Sequence, residues 1–177
     1  MTTRRQWLAV EELSAAAFAP FGEVIDPRPE AAQTFAINEG YTTRLHALAR
    51  VDVADRGGAP IISIFRSRAR VFPMQLRVME RHPLGSQAFM PLAAFPFLVV
   101  VAPPGAPLDL GQLRCFLVPP GYGVNFAKGT WHHPQIAVAE PSDFLVVDRG
   151  GAPGDPNLDE VDVLQADTWI QLPADRP

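Results

Sequence analysis

Apolar residues along this chain come in short bursts separated by proline and glycine. Proline removes a backbone donor and clashes with the preceding turn, so each proline-free window limits the length of a regular helix. Few windows are long enough to matter. One short helix is predicted over Ala15–Ala19, with Ser14 as its N-cap and Leu13 and Phe18 placed as a hydrophobic staple, before Pro20 and Gly22 end it. A second helix or turn is expected within Asn157–Asp167, where acidic residues suit a helix start. Between Ile61 and Arg149 the pattern is that of strands: Ile61–Arg66, Leu76–His82, Gln87–Leu92, Phe97–Val101, Leu113–Val118, Gln135–Val138 and Phe144–Asp148. Their spacing by turn residues predicts a mainly β chain, a sandwich or small barrel. Strands and helices do not alternate, which excludes a doubly wound parallel sheet. Phe97–Val101 is apolar on both faces and needs cover on both, from the N-terminal segment or from a second subunit.

One strand changes character along its length. Residues alternate between faces, which places Leu76, Val78, Glu80 and His82 together and leaves Gln75, Arg77, Met79 and Arg81 for a mostly solvent face. The first set runs from aliphatic residues to a carboxylate and an imidazole, as a strand does when it leaves a packed core for a polar mouth. Pro83-Leu-Gly-Ser86 supplies turn chemistry, and Gln87 follows at the start of the returning strand. Taken alone, Glu80 and His82 read equally well as an exposed strand-end pair. The second polar cluster, Gly121 to Pro134, changes the balance because it carries half of the four histidines. In an extended Trp131-His-His-Pro134, His132 and His133 point to opposite sides, so at most one of the two is expected to enter a pocket while the other packs or caps outside.

Composition sharpens this picture. The length of 177 residues suits one domain over 1–177, with a tail from about residue 152 expected to be loosely attached or to pack on a neighbour. The 19 prolines and 13 glycines stay together below the roughly 25 to 30% of low-complexity disorder. No apolar run approaches the roughly 18 residues of a membrane span. The N-terminus has no signal-like apolar stretch, so a cytoplasmic location is expected. The lone Cys115 sits among apolar residues, which predicts an inert core thiol in a reducing compartment. A net charge of −4 with both signs interspersed excludes the basic field that a nucleic acid partner needs.

Several ordered segments together resemble one family. Phe21-Gly-Glu-Val-Ile25, Ile37-Asn-Glu-Gly40 with Arg44-Leu-His46, Glu80-Arg-His-Pro-Leu-Gly-Ser-Gln-Ala-Phe89, Val124-Asn125, Trp131-His-His-Pro134 and Asp143-Phe-Leu-Val-Val-Asp-Arg-Gly-Gly151 are similar to those of the ureidoglycolate lyases. The resemblance covers most of the chain. It implies a cupin-type antiparallel β-barrel or jelly roll, a homodimer, and cleavage of ureidoglycolate to glyoxylate and urea. Metal-binding cupins carry His-x-His, a later Glu and a distant His; the corresponding residues here are Glu80, His82, Gln87 and His132. That set still suits a divalent nickel, zinc or manganese ion, with metal-free chemistry the alternative.

The reaction needs a base at the substrate hydroxyl and an acid at the departing nitrogen. His82, His132 and Glu80 are the candidates, either holding a metal or moving the protons themselves. A substrate carboxylate favours a bidentate guanidinium. Arg66 is one candidate, because Ile62, Ile64 and Arg66 repeat the apolar-to-polar gradient on one face; Arg149 is another, with a local salt bridge to Asp148 as its bland reading. Gln87 and Asn125 are candidate partners for the ureido group. Lys128, in a glycine-flanked loop, is either a gate at the mouth or a solvated loop lysine. An amidohydrolase releasing ammonia and a non-catalytic binder of a small hydroxy acid are the competing functions.

Overall fold

In a computed structural model, residues 5–138 and 142–172 are described. The first residues of the N-terminal segment and the end of the tail lie outside them. Two sheets face each other. One contains Asp159–Asp162, Val78–Arg81, Trp131–His132, Phe97–Ala102, Arg114–Val118 and Val10–Glu12 in that order, with Ile136–Ala137 also on Phe97–Ala102. The other runs Gly22–Ile25, Gly123–Phe126, Gln87–Pro91, Ser142–Gly150 and Ala59–Ser67. This is a cupin-type β-sandwich whose barrel is open rather than closed by hydrogen bonds. It is antiparallel except where the N-terminal strands add on, since Val10–Glu12 runs parallel to Arg114–Val118 and Gln6–Leu8 parallel to Thr168–Ile170.

The strand Phe97–Ala102 explains why the fold has two cores. Phe97, Val99 and Val101 pack between the sheets with Phe89, Phe116, Val124, Phe126, Phe144 and Val146. Leu98, Val100 and Ala102 point the other way, onto Leu76, Met79, Cys115, Trp131, Val163 and Ile170. The second face is thus covered from within the chain, by the N-terminal strands and above all by the tail. Cys115 lies fully buried in this layer, and burial pushes its thiol up to about 12.

The helix forms over Ala15–Phe18, where the Ala17 N–H donates to Ser14 Oγ at 3.2 Å. Phe18 closes one end of the first core against Phe21 and Phe116.

The short helix or turn expected within Asn157–Asp167 is the 3-10 turn at Leu164–Ala166, and before it Asp159–Asp162 is an edge strand on Val78–Arg81. Among the described tail residues, Val163 and Ile170 are buried. One expectation changes, since Leu76–His82 is not one continuous strand. Met74–Gln75 pairs with Trp169 and Ile170, Val78–Arg81 pairs elsewhere, and the alternation restarts between them. As a result Leu76 and Met79 share the second core, while Glu80 faces the opposite side.

Candidate active site

The site lies between the sheets, where the aromatic core gives way to polar side chains. Glu80 and His132 are direct cross-strand neighbours, and at such a pair the side chains meet on one face. Trp131 and Met79, their chain neighbours, go into the second core, which turns Glu80 and His132 inward. His132 stacks on Phe126 with ring centroids 4.5 Å apart. His82 lies two residues beyond Glu80, with its ring 5.3 Å from that of His132. One donor atom from each of Glu80, His82 and His132 lies within 4.8 Å of the others.

Both imidazoles are held in one tautomer. His82 Nδ1 lies 2.8 Å from Asn157 O and His132 Nδ1 lies 3.0 Å from Thr130 O. A carbonyl only accepts, so each Nδ1 carries a proton, and in the neutral imidazole the lone pair sits on Nε2. Both Nε2 atoms are buried without a hydrogen-bond partner among the described residues. His132 Nε2 is 3.4 Å from Glu80 Oε1. A lone pair facing a carboxylate is favourable only with a proton or a cation between them.

Burial pushes the Glu80 carboxyl up, but its interactions with the neighbouring imidazoles, His132 first and His82 and His133 behind it, outweigh burial and hold it below the usual glutamate value. Burial holds His82 below the usual imidazole value, although the Asn157 carbonyl opposes this. Near neutral pH the site therefore combines a carboxylate with a neutral His82.

Two cavities meet this cluster. One of about 270 Å³ is lined by Glu80 and His132 with Phe65, Phe89, Arg70 and Gln135. The other, of about 230 Å³, is lined by His82, Ser86, Gln87, Asp148, Arg149 and Asn157. Gln87 Oε1 and Asp148 Oδ1 are buried there with no partner among the described residues. Asp148 was not singled out from the sequence. Its signal was present, since Phe144, Val146 and Asp148 repeat at strand spacing the gradient that marks Glu80. Asn157, which holds His82 and also accepts from the Leu84 N–H at 2.9 Å, lies in the tail and carries no such signal.

The expectation that only one of His132 and His133 enters the pocket changes: His132 meets Glu80, and His133 also lines the Glu80 cavity as well as a wider one beside it, with Nδ1–H donating to Pro134 O at 2.7 Å.

Four predicted substrate contacts are placed otherwise. Arg66 points to the outer face, 79% exposed, and forms a bidentate pair with Asp143. Asn125 also faces outward, donating to Glu23 Oε2 and Arg50 O, because Val124 and Phe126 take the inward positions. Lys128 pairs with Asp52 and Asp55 and anchors their loop. Arg149 borders the His82 cavity, but its side chain is 1% exposed and committed to Asp155 and the Asp55 carbonyl. A Cβ at Gly58 or Gly151 would run into this guanidinium. Asp-Arg-Gly-Gly is thus a packing motif around a buried arginine.

Fold and site together define a cupin-type protein with a histidine–carboxylate centre between its sheets. Sequence comparison narrows the class: a model of the ureidoglycolate lyase family matches residues 5–171. The chain is 54% identical to a ureidoglycolate lyase of Burkholderia mallei over 144 residues, covering 81% of this chain and 83% of that protein. It is 52% identical to one of Azotobacter vinelandii over 153 residues, covering 86% and 90%, and 49% identical to one of Pseudomonas fluorescens over 144 residues, covering 81% and 85%. The chain belongs to the ureidoglycolate lyase family.

Proposed function

We propose that this protein is a lyase that cleaves ureidoglycolate to glyoxylate and urea, a step of allantoin and purine catabolism, at the Glu80, His82 and His132 cluster. The observation that carries the assignment of the site is the pair of imidazoles fixed through Nδ1, which leaves two unpartnered Nε2 atoms in a cluster with the half-buried Glu80 carboxylate in a member of this family.

The reacting carbon of ureidoglycolate bears a hydroxyl, a carboxylate and the ureido nitrogen. As the carbon–nitrogen bond breaks, its electron pair leaves with urea, the hydroxyl loses its proton, and the carbonyl of glyoxylate forms. The departing nitrogen gains the proton that the hydroxyl lost. In this reading His132 Nε2 takes the proton and passes it to nitrogen, and Glu80, 3.4 Å away, stabilises the imidazolium in between. His82, neutral through burial, accepts a hydrogen bond from the substrate.

The same donors fit a divalent ion such as nickel, zinc or manganese, because ligating imidazoles characteristically donate their other N–H to a carbonyl, as both do here. Glu80, His82 and His132 would hold it, with Gln87 beside them. When bound, such an ion polarises hydroxyl and carboxylate oxygens.

The finer setting follows from other features. A homodimer is supported by the outer face of the second sheet, where Ile62 and Ile64 are 71% and 52% exposed, and by the hairpin Gln33–Ile37 and Thr42–His46, whose first strand is exposed throughout. A two-stranded hairpin is marginal without a partner surface. A cytoplasmic location is supported by a buried free cysteine. Among the described residues no helix is long and apolar enough to cross a membrane.

The decisive experiment follows glyoxylate, urea and ammonia together during incubation with ureidoglycolate. Glyoxylate and urea in equal amounts without ammonia are expected. Ammonia in place of urea would make the protein an amidohydrolase, and no turnover would make it a binder. His82→Ala and His132→Ala should each lower turnover by about 100-fold or more while the protein stays folded; near-normal rates in both would sink the site.

A further inference from the structure

Ureidoglycolate is an anion, and a site that orients it needs a cation near the proton-transfer groups. Neither arginine that the sequence offers is available, since Arg66 pairs with Asp143 on the outer face and Arg149 is committed to Asp155. The cavity of Glu80 and His132 nevertheless has one arginine in its lining among the described residues, Arg70, whose side chain is exposed at the rim. Arg70 sits on the linker after Ala59–Ser67. Its N–H donates to Ala137 O at 2.9 Å, and Ala69 bridges Ala137 in parallel, so the linker is pinned beside the strand Ile136–Ala137. Gln135, the residue before that strand, lines the same cavity. Its Nε2 is buried without a hydrogen-bond partner among the described residues. Two donors therefore border the space in front of Glu80 and His132, one charged at the rim and one neutral within.

We infer that Arg70 and Gln135 form the subsite that orients the substrate, with Arg70 binding its carboxylate and Gln135 Nε2 donating to its ureido oxygen. This rests on the lyase reading above. The division follows from charge. A guanidinium matches a carboxylate with two parallel hydrogen bonds, whereas a neutral amide N–H suits the ureido oxygen. Negative charge grows on that oxygen as the carbon–nitrogen bond lengthens, and a donor already in place then favours the transition state more than the ground state. With its two ends held, the substrate presents its hydroxyl and its carbon–nitrogen bond to His132.

The test uses the intact protein with Arg70→Gln, Arg70→Lys, Gln135→Leu and, as a control from the neighbouring cavity, Arg77→Gln. Arg70→Gln should raise KM by about 10-fold or more, as loss of a hydrogen bond to a charged group requires. Arg70→Lys should recover part of that loss, and Gln135→Leu should act mainly on kcat. Glycolate and the equally sized, uncharged glycolamide give a second readout. Wild type should be inhibited more strongly by glycolate, and Arg70→Gln should inhibit equally weakly with both. An active wild type with unchanged KM in Arg70→Gln, or a KM effect confined to Arg77→Gln, would overturn the inference and leave the lyase reading intact. A wild type with no activity on ureidoglycolate would end the lyase reading, and glycolate calorimetry would then decide the subsite. Binding lost in Arg70→Gln would uphold it as a carboxylate site, and binding unchanged would overturn it.

Discussion

At the scale of single residues, two backbone carbonyls set the chemistry of the site. Asn157 O and Thr130 O accept the Nδ1 protons of His82 and His132, which leaves both Nε2 atoms unpartnered and that of His132 facing Glu80. That arrangement serves either a proton or a cation, and both compete for the lone pair of His132. Metal content therefore predicts the rate law. If the imidazoles shuttle the proton directly, protein stripped with a chelator and shown metal-free by elemental analysis keeps its full rate. If a divalent ion is required, the stripped protein is inactive and regains turnover when nickel, zinc or manganese is restored. The same scale separates charge used for folding from charge used for function. Arg149 and Lys128 hold the loop around Asp52 and Asp55 near the His82 cavity, and Arg66 ties two strands on the outer surface. None of the three guanidinium or ammonium groups is directed at Glu80, since each has carboxylates of its own.

At the scale of elements, pattern alone placed most strand centres and the helix. Ser14 and Phe18 act as their positions require, and Phe97–Ala102 is apolar on both faces because it is sandwiched between two cores. What pattern missed were pairings decided far along the chain. The edge strand Asp159–Asp162 is acidic and mostly exposed, so its hydrophobicity shows no period. It is a strand because Val78–Arg81 offers it an unpaired edge, and Arg81 meets Asp159 across that pairing at 2.7 Å. Arg66 was assigned to the wrong face for a related reason. Ile62 and Ile64 look like core residues, yet Phe65 and Ser67 are the ones that face the cavity. The tail should behave as part of the fold. Ile170→Ala, which removes a fully buried side chain from the second core, is expected to cost about 2 to 5 kcal/mol, read from denaturant unfolding. A loss below about 0.5 kcal/mol would mean that the tail is an appendage.

At the scale of the whole molecule, the outer face of the second sheet is the unsatisfied surface. Ile62 and Ile64 project from it, and apolar side chains clustered on an exposed sheet mark an interaction site more often than bare solvent contact. A second copy of the chain is the partner that a homodimer requires. Sedimentation equilibrium should give twice the chain mass of 19.3 kDa, and Ile62→Asp with Ile64→Asp should return it to one chain mass. A wild-type monomer at micromolar concentration would rule the homodimer out. The open sandwich keeps its site at one end, between sheets whose aromatic layer of Phe89, Phe126 and Phe144 supports the polar residues from below.

The sequence by itself determined the strand-rich architecture, the short capped helix, the family, and the meeting of Glu80 with His82 and one histidine of the 132–133 pair. These depend on local periodicity, on turn chemistry and on ordered motifs. Only the tertiary structure decided which arginines are free, which carbonyls hold the imidazoles, and that Asp148, Arg70 and Gln135 border the site. Many of these facts depend on partners far along the chain, as with Asn157 and His82 or Arg149 and Asp55, and no alternation within one strand encodes them.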